Sequence, residues 1–293
     1  MIEKFNSLWE TLKTDPKPLR RILCKILVKL PFDAGKLLRI KVKTNGYRIH
    51  LRKSSLSLAL FYDPDSRKTD CEFIASYLND GDVYVDVGAN VGTTLIPAAL
   101  ASPKGGHFGF EPHPRIYRYL VENVLLNGLS ERVHLFNCAL GATEGEIRFS
   151  SSSNDDTNHV LVDEPGIAVR VALLDDILAE AERVHLLKVD VEGYEKFVFQ
   201  GGRETLAKTD CVYFEISEQN FNLFGYSVRE LLTDFEHQGF ALYVRSGPSE
   251  ISRIRSDYCL RTHHTNVLAI RSQEDFLART NWTVSSPLTK QEG

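Results

Sequence analysis

Short apolar runs alternate with stretches of helical hydrophobic spacing from residue 83 to residue 216. The apolar runs are bounded by turn residues and predict buried strands, and the stretches between them predict helices. In chain order the predicted elements are 83–87 (strand), 93–101 (helix), 107–110 (strand), 115–127 (helix), 133–139 (strand), 184–189 (strand), 202–207 (helix) and 212–216 (strand). This alternation is typical of right-handed βαβ units, so we expect an α/β fold with a doubly wound, mostly parallel sheet.

Two further apolar runs, at residues 240–245 and 266–271, follow without a clear long helix between them. They predict a final antiparallel hairpin. The polar segment 150–158 predicts a loop, and the polar tail from residue 283 onward predicts a frayed end.

The first 68 residues carry a different pattern. Residues 18–30 predict an amphipathic helix that opens with proline and closes at Pro31. Residues 40–51 alternate around Asn45-Gly46, which is a hairpin signal. Residues 69–78 predict a helix with Asp70 as a candidate cap. We therefore expect a helix and hairpin extension over residues 1–68 and the main domain over residues 69–293.

Composition narrows the class of protein. The chain has 43% hydrophobic and 25% charged residues, as ordinary globular proteins do. Its formal net charge of −4 argues against a general nucleic-acid binder, which needs a basic surface. The five cysteines are scattered and none forms a C-x-x-C pair, so a zinc or redox motif and a disulfide framework are not expected. With no membrane-spanning apolar run and no signal-peptide pattern, we expect a cytoplasmic protein.

The basic segment 13–43 has ten Lys and Arg residues against two Asp residues. One interpretation is peripheral contact with a membrane surface or a polyanion through the basic face of the helix. The other is a helix that caps the main domain and exposes its basic face to solvent. The second is favoured because basic amphipathic helices are common.

The strongest chemical signal is the turn Asp86-Val87-Gly88-Ala89-Asn90-Val91-Gly92, where an apolar strand ends in an acid and enters a glycine turn before a helix. Doubly wound sheets bind ligands at this end of the first strand. The dinucleotide pattern G-x-G-x-x-G is absent because Asn90 stands at the second glycine position. An acid suits a cationic ligand such as S-adenosylmethionine, which carries a sulfonium and an ammonium group. A nicotinamide-dependent oxidoreductase or epimerase is the disfavoured alternative, and a non-catalytic nucleotide-binding protein is a third.

A second signal lies at Phe110-Glu111-Pro112, where Glu111 ends the second predicted strand. It follows the glycine turn by about twenty residues, the place for an acid that accepts both ribose hydroxyls. A carboxylate can do so with its two oxygens.

Two more strand ends carry acids: Lys188-Val189-Asp190-Val191-Glu192-Gly193 and Phe214-Glu215. If the strand continues, Lys188, Asp190 and Glu192 share one face. Charges in a buried strand are costly unless they are paired or used. We expect Lys188 to be structural, Asp190 and Glu192 to lie beside the sulfonium methyl, and Glu215 to reach the same crevice.

These blocks in this order resemble the FkbM family of methyltransferases over residues 47–270. The resemblance implies a class I methyltransferase (Rossmann-like) fold with a seven-stranded sheet whose last strand is antiparallel. It also implies S-adenosylmethionine as cofactor and O-methylation of sugar or natural-product hydroxyls. The residues that it places at the cofactor are Asp86, Gly88, Ala89, Asn90, Gly92, Glu111, Pro112 and Asp190. Asn137 and Cys138 are candidates for the adenine edge, with Asp155 or Asp156 as alternatives.

The acceptor is a small molecule or glycan whose identity the sequence does not specify, and neither does it specify the oligomeric state. An alcohol is a poor nucleophile until its proton leaves, so we expect a base among Asp190, Glu192 and Glu215. A divalent cation such as Mg²⁺ on Asp190 and Glu192 is the open alternative.

Overall fold

The computed structural model describes residues 20, 22–24, 26, 39–41, 46–152, 157–162, 164–260 and 262–285. Its strands are β1 (Arg39–Lys41), β2 (Arg48–His50), β3 (Tyr84–Val87), β4 (His107–Phe110), β5 (Val133–Phe136), β6 (Ala139–Leu140), β7 (Gly145–Phe149), β8 (Ile167–Ala172), β9 (Val184–Val189), β10 (Thr209–Ile216), β11 (Ala241–Gly247), β12 (Glu250–Ile254), β13 (Thr265–Ile270) and β14 (Thr283–Ser285). Its helices are α1 (Ser55–Tyr62), α2 (Lys68–Tyr77), α3 (Leu95–Ala101), α4 (Pro114–Leu126), α5 (Leu174–Ile177), α6 (Glu195–Gln200), α7 (Arg203–Ala207), α8 (Glu218–Leu223), α9 (Val228–His237) and α10 (Gln273–Thr280).

The main sheet of the described chain has the strand order β5-β4-β3-β9-β10-β13-β11-β12-β14. Strands β5, β4, β3, β9 and β10 run parallel, and β13 runs antiparallel to both β10 and β11. The first seven strands of this order form the doubly wound sheet that the resemblance predicts, with the last of them in sequence antiparallel. The fold class is therefore confirmed.

Each central strand is buried on both faces because helices cover the sheet on both sides. On β10, Tyr213 lies 5.1 Å from Phe73 of α2 between ring centroids, and the next residue, Phe214, stacks on Phe235 of α9 at 4.7 Å. Successive side chains of a strand point to opposite faces, so a continuous apolar run supplies both layers of the core. This arrangement leaves the carboxyl ends of the parallel strands as the edge where a ligand can bind.

Two strand predictions need correction. Strand β5 ends at Phe136 rather than at residue 139, because Asn137 donates to the carbonyl oxygens of Glu111 and Pro112 at 2.8 and 3.1 Å. The chain turns there, and Ala139–Leu140 joins β7 and β8 in a separate three-stranded sheet. Of the tail predicted to be frayed, the described residues Thr283–Ser285 form a strand that pairs in parallel with β12.

Two other elements differ in detail. The final hairpin exists as the antiparallel pair β11 and β13, but β12 lies between them in the chain and extends the sheet. Asp70 does not cap α2, because Arg67 occupies the N-cap position and Asp70 lies within the first turn. The carboxylate of Asp70 instead accepts a hydrogen bond from Tyr213.

The amino-terminal extension is described in part. Strands β1 and β2 form the predicted antiparallel hairpin, although Asn45 lies outside the described residues. Most of the basic segment 13–43 lies outside them too, with residues 20, 22–24 and 26 helical. Tyr47 and Ile49 are buried in the same core cluster as α2 and α4. The boundary at residue 68 stays a prediction. Among the described helices, none is both long and apolar enough to cross a bilayer.

Candidate active site

A cavity of about 900 Å³, measured with its open mouth, lies at the carboxyl ends of β3, β4 and β9. The residues predicted from the sequence that line it are Gly88, Asn90, Glu111, Pro112, Cys138, Asp190 and Glu192. The predicted residues that do not line it are Asp86, Ala89, Gly92, Asn137 and Glu215. The structure therefore brings acids from two strand ends to one cavity, Glu111 after β4 and Asp190 and Glu192 after β9.

The glycine turn after β3 requires glycine at two positions. Gly88 and Gly92 have φ values of 82° and 91°, which a residue with a Cβ rarely adopts. A Cβ on Gly88 would lie 2.0 Å from the carbonyl oxygen of Asp190. The turn thus packs directly against the end of β9. Ala89 and Gly92 shape this turn, whereas Gly88 and Asn90 reach the cavity.

Glu111 is held facing the cavity by two backbone amides. Its Oε2 accepts from the amide of Asn90 at 3.1 Å, and its Oε1 accepts from the amide of His113 at 2.8 Å. The side chain is buried. An ionised carboxylate has two acceptor oxygens, which is the chemistry that the two hydroxyls of a vicinal diol such as ribose require.

Asp86 does not reach the cavity. Its Oδ2 accepts from the Thr94 hydroxyl at 2.6 Å, and its Oδ1 accepts from the Lys188 ammonium at 3.3 Å. Because Asp86 and Lys188 are register partners on β3 and β9, the two charges meet inside the sheet. The expectation that Asp86 contacts a cationic ligand directly is therefore corrected, since its charge is already paired with Lys188.

Lys188 joins the buried and the cavity-facing acids. Its ammonium lies 3.3 Å from Asp86 and 3.5 Å from the Oδ2 of Asp190. Burial alone would lower the pKa of Lys188, but the two carboxylates outweigh it and raise that pKa above its ordinary value. Lys188 is thus a charged structural residue, as predicted.

Three carboxylates converge above the ends of β9 and β10. One oxygen from each of Asp190, Glu192 and Glu215 lies within 4.8 Å of the other two. Strand β9 ends at Val189, so Glu192 does not continue the alternation that the sequence predicts. Instead Glu192 adopts a φ of 56° and accepts from Asn220 at 3.2 Å. This turn, rather than an extended strand, brings Glu192 to the cluster.

Burial raises the pKa of Glu215 to about 8, with Asp190 and Glu192 adding like-charge repulsion. Glu195, at the start of α6, is fully enclosed, and burial raises its pKa to about 8 as well. Its Oε1 accepts from the Val191 amide at 3.1 Å. Two acids beside the cavity thus bind protons more tightly than ordinary carboxylates do.

Several residues that line the cavity were not predicted. Arg67 and Asp70 come from the first turn of α2, and Tyr194 lies where α6 begins. Phe149 and Val160 come from the small sheet and its connecting segment, whereas Asn158 ends the polar loop 150–158 that the sequence predicts. No sequence signal marks them, because their position depends on where separate elements pack. Cys138 reaches the cavity, whereas Asp155 and Asp156 lie outside the described residues.

The cavity favours a positively charged ligand. Its described lining has four carboxylates, those of Asp70, Glu111, Asp190 and Glu192, against the cationic side chains of Arg67 and Lys188. Low-dielectric walls strengthen the field of such a cluster compared with open solvent. A sulfonium ligand therefore fits the charge of the site.

The chain is similar to several known proteins. The family model described as "Methyltransferase FkbM domain" matches residues 86–242, which is more than half of the chain. The 2-O-methyltransferase NoeI of Sinorhizobium fredii is 34% identical over 189 residues, covering 56% of this chain and 76% of the relative. The hexuronic acid methyltransferase AglP of Haloferax volcanii is 31% identical over 144 residues, covering 47% of this chain and 56% of the relative. The structure of precorrin-6y C5,15-methyltransferase from Geobacter metallireducens superposes with a TM-score of 0.42 and 12% identity over 70% of this chain and 89% of that one. The chain belongs to the FkbM family of methyltransferases.

Proposed function

We propose that this methyltransferase transfers the methyl group of S-adenosylmethionine to a hydroxyl group of a sugar or glycan. The observation that carries the proposal is that one cavity is lined by Glu111, which follows β4, and by Asp190 and Glu192, which follow β9. The first acid suits a ribose and the others suit a reacting centre. The printed names of NoeI and AglP, a 2-O-methyltransferase and a hexuronic acid methyltransferase, support a sugar acceptor.

The chain's residues fit the cofactor at several points. Glu111 presents two oxygens held by backbone amides, and Gly88 brings the backbone of the glycine turn to the cavity wall beside Asp190. Pro112 and Cys138 supply less polar walls beyond Glu111. When bound, S-adenosylmethionine supplies a methyl group that its sulfonium already makes electrophilic. The protein must then mainly hold the acceptor oxygen in line with that carbon, which in the best intramolecular models contributes about 7–11 kcal/mol.

The carboxylate cluster supplies the base. An alcohol must lose its proton as its oxygen attacks, and a base works best when its pKa lies near the working pH. The pKa of Glu215 is raised to about 8, and its carboxylate lies close to those of Asp190 and Glu192. The cluster accepts the hydroxyl proton and later releases it to solvent through the cavity mouth.

A divalent cation is the alternative way to activate the hydroxyl. Three carboxylate oxygens within 4.8 Å of one another are close enough to share one ion, and such an ion would lower the pKa of a bound hydroxyl. Chelation separates the two mechanisms. Full activity after chelation supports the carboxylate base, whereas a loss that added Mg²⁺ restores supports the cation.

An uncharged or small acceptor is favoured over a nucleic acid. The acidic cavity and the net charge of −4 would repel a phosphate backbone. A cytoplasmic location and contact of residues 13–43 with a membrane stay predictions. Sedimentation of the full chain with anionic vesicles tests the latter, and the absence of co-sedimentation would contradict it.

Calorimetry and an activity screen test the proposal. S-Adenosylmethionine and S-adenosylhomocysteine should bind, and NAD should not. Methyl transfer is then screened on monosaccharides, hexuronic acids, lipid-linked glycans and polyketide hydroxyls. Binding of NAD, with no binding of either adenosyl ligand, would overturn the proposed cofactor. Methyl transfer to a polyketide but to none of the sugar acceptors would overturn the proposed acceptor.

A further inference from the structure

The first turn of α2 contributes a pair of opposite charges to the cavity. Arg67 is the N-cap residue of this helix and Asp70 lies three residues later. Both side chains line the cavity, with 39% and 18% of their surface exposed. Both also precede the region that the family model matches, which begins at residue 86. The role of the pair therefore cannot be taken from the match to the family model.

The two side chains do not satisfy each other. The closest approach between the Arg67 guanidinium and the Asp70 Oδ2 is 4.0 Å, which is beyond hydrogen-bond distance. Asp70 is instead fixed from the other side, where its Oδ1 accepts from the Tyr213 hydroxyl at 2.7 Å. A guanidinium carries five donors in a planar fork that matches a carboxylate. The pair is thus held side by side with capacity for a further ligand.

Packing places this pair at the end of the cavity opposite Glu111. The Cys71 thiol donates to the Thr93 carbonyl at 3.2 Å, so α2 is attached where the glycine turn leads into α3. Tyr213, which holds Asp70, is the register partner of Lys188 on β10 and β9. Glu111 follows β4, and the order β10-β9-β3-β4 puts it three strands away along the sheet.

We infer that Arg67 and Asp70 bind the amino-acid end of S-adenosylmethionine. The guanidinium binds the carboxylate, and the Asp70 carboxylate binds the α-ammonium group. This inference rests on the proposed function, because it takes the ribose to lie at Glu111. A zwitterion presents opposite charges on neighbouring atoms, and the Arg67 and Asp70 pair presents the complementary arrangement.

A carboxylate on the acceptor, as in a hexuronic acid, is the rival ligand for Arg67. The neighbouring Asp70 argues against it, because a simple anion would be attracted by one member of the pair and repelled by the other. A zwitterion instead gains a favourable contact from both members. The pair therefore selects for an amino acid rather than for an acid.

Calorimetry with two ligands tests the inference on the full chain. S-Adenosylhomocysteine carries the amino-acid end, and 5′-methylthioadenosine has the same adenine, ribose and sulfur without it. Arg67→Gln and Asp70→Asn should each raise the Kd for S-adenosylhomocysteine about tenfold, as expected for a lost charge-assisted hydrogen bond. Neither substitution should change the Kd for 5′-methylthioadenosine. Arg203→Gln is the matched control, because Arg203 also lies at the start of a helix but does not line the cavity.

Each outcome bears on the inference separately from the proposed function. If the unaltered chain binds neither ligand, the proposed cofactor is wrong. If it binds both ligands and Arg67→Gln leaves the S-adenosylhomocysteine Kd within about twofold of the control, the inference is overturned. A rise in the acceptor KM alone would assign Arg67 to the acceptor. Equal weakening of both ligands would indicate a distorted pocket and would count against the inference. The exception is a result in which Arg67→Lys, which keeps the charge, restores selective binding of S-adenosylhomocysteine.

Discussion

Replacing Lys188 by Met should lower the free energy of unfolding of this domain substantially, because it removes the positive charge between two acids. The Lys188 side chain is 9% exposed and the Asp86 side chain is fully buried. Met keeps an apolar stem of similar length, so little volume is lost. Asp86 keeps its hydrogen bond from Thr94. It loses its ion pair with the Lys188 ammonium, the only ion pair that it forms among the described residues.

The magnitude follows from the burial of the pair. Removing one partner of a buried ion pair costs about 3–5 kcal/mol, because the other charge stays in a low-dielectric interior. That is a large part of the about 5–15 kcal/mol by which a domain is stable. Lys188→Met combined with Asp86→Asn should be less destabilised than the sum of the two single variants, with a coupling of about 0.5–3 kcal/mol.

Urea unfolding followed by circular dichroism measures these free energies. Lys196→Met is the matched control, because the Lys196 ammonium pairs with Glu230 at the surface, where the partner side chain is 48% exposed. A surface pair contributes at most about 1 kcal/mol. If Lys188→Met costs no more than Lys196→Met, or if the double variant shows no coupling, the buried pair does not stabilise the sheet as argued.

Three further predictions concern the cavity and its acids. Asp190→Asn should abolish methyl transfer, because Asp190 belongs to the carboxylate cluster that acts as the base. It should change the Kd for S-adenosylhomocysteine, measured by calorimetry, less than about twofold. A loss of affinity that matches the loss of turnover would contradict a chemical role. Gly88→Ala should abolish cofactor binding, because its Cβ would meet the Asp190 carbonyl oxygen at 2.0 Å. Gly81 has a similarly positive φ but open space around it, so Gly81→Ala should lower the free energy of unfolding by only about 1–2 kcal/mol through left-handed strain. If the two variants lose thermal stability and cofactor binding equally, the clash with Asp190 is not the cause. The free energy of unfolding should fall as the pH rises from 4.5 to about 8, because folded Glu195 holds its proton more tightly than the unfolded chain does. Burial also raises the pKa of Glu215 to about 8, so both acids contribute to this decline. Glu195→Gln should therefore make the decline shallower in urea titrations, and an unchanged slope would show that Glu195 does not contribute to it.

The sequence predicts the central sheet well because its strands are buried on both faces. The run Val184–Val189 is continuously apolar apart from residues that have a specific partner, and the strand that it forms has the bounds that the sequence predicts. Strand β12 was missed because Glu250–Ile254 mixes charged and apolar residues and lies only one strand from the sheet edge. Strand β14 is only three residues long and draws its order from pairing with β12. Short edge strands depend on tertiary pairing, which a local pattern does not contain.

The candidate site divides in the same way. The strand-end acids and the glycine turn carry their own local signals, and the structure brings them to one edge of the sheet. Arg67 and Asp70 carry no such signal, because their place in the cavity depends on how α2 packs against Tyr213 and Thr93. Glu192 reaches the cluster through a left-handed turn that alternation along a strand does not predict.

The position of Asp86 shows why an acid at a strand end does not by itself identify a ligand contact. Both of its oxygens are engaged within the protein, by Thr94 and by Lys188. Lys188 in turn lies 3.5 Å from Asp190, which does line the cavity. A change at Asp86 therefore reaches the reaction through the position of Lys188 and the field at Asp190. Loss of activity on substituting Asp86 would not place it at the cofactor, because the same loss follows from releasing a buried ammonium beneath the cavity floor.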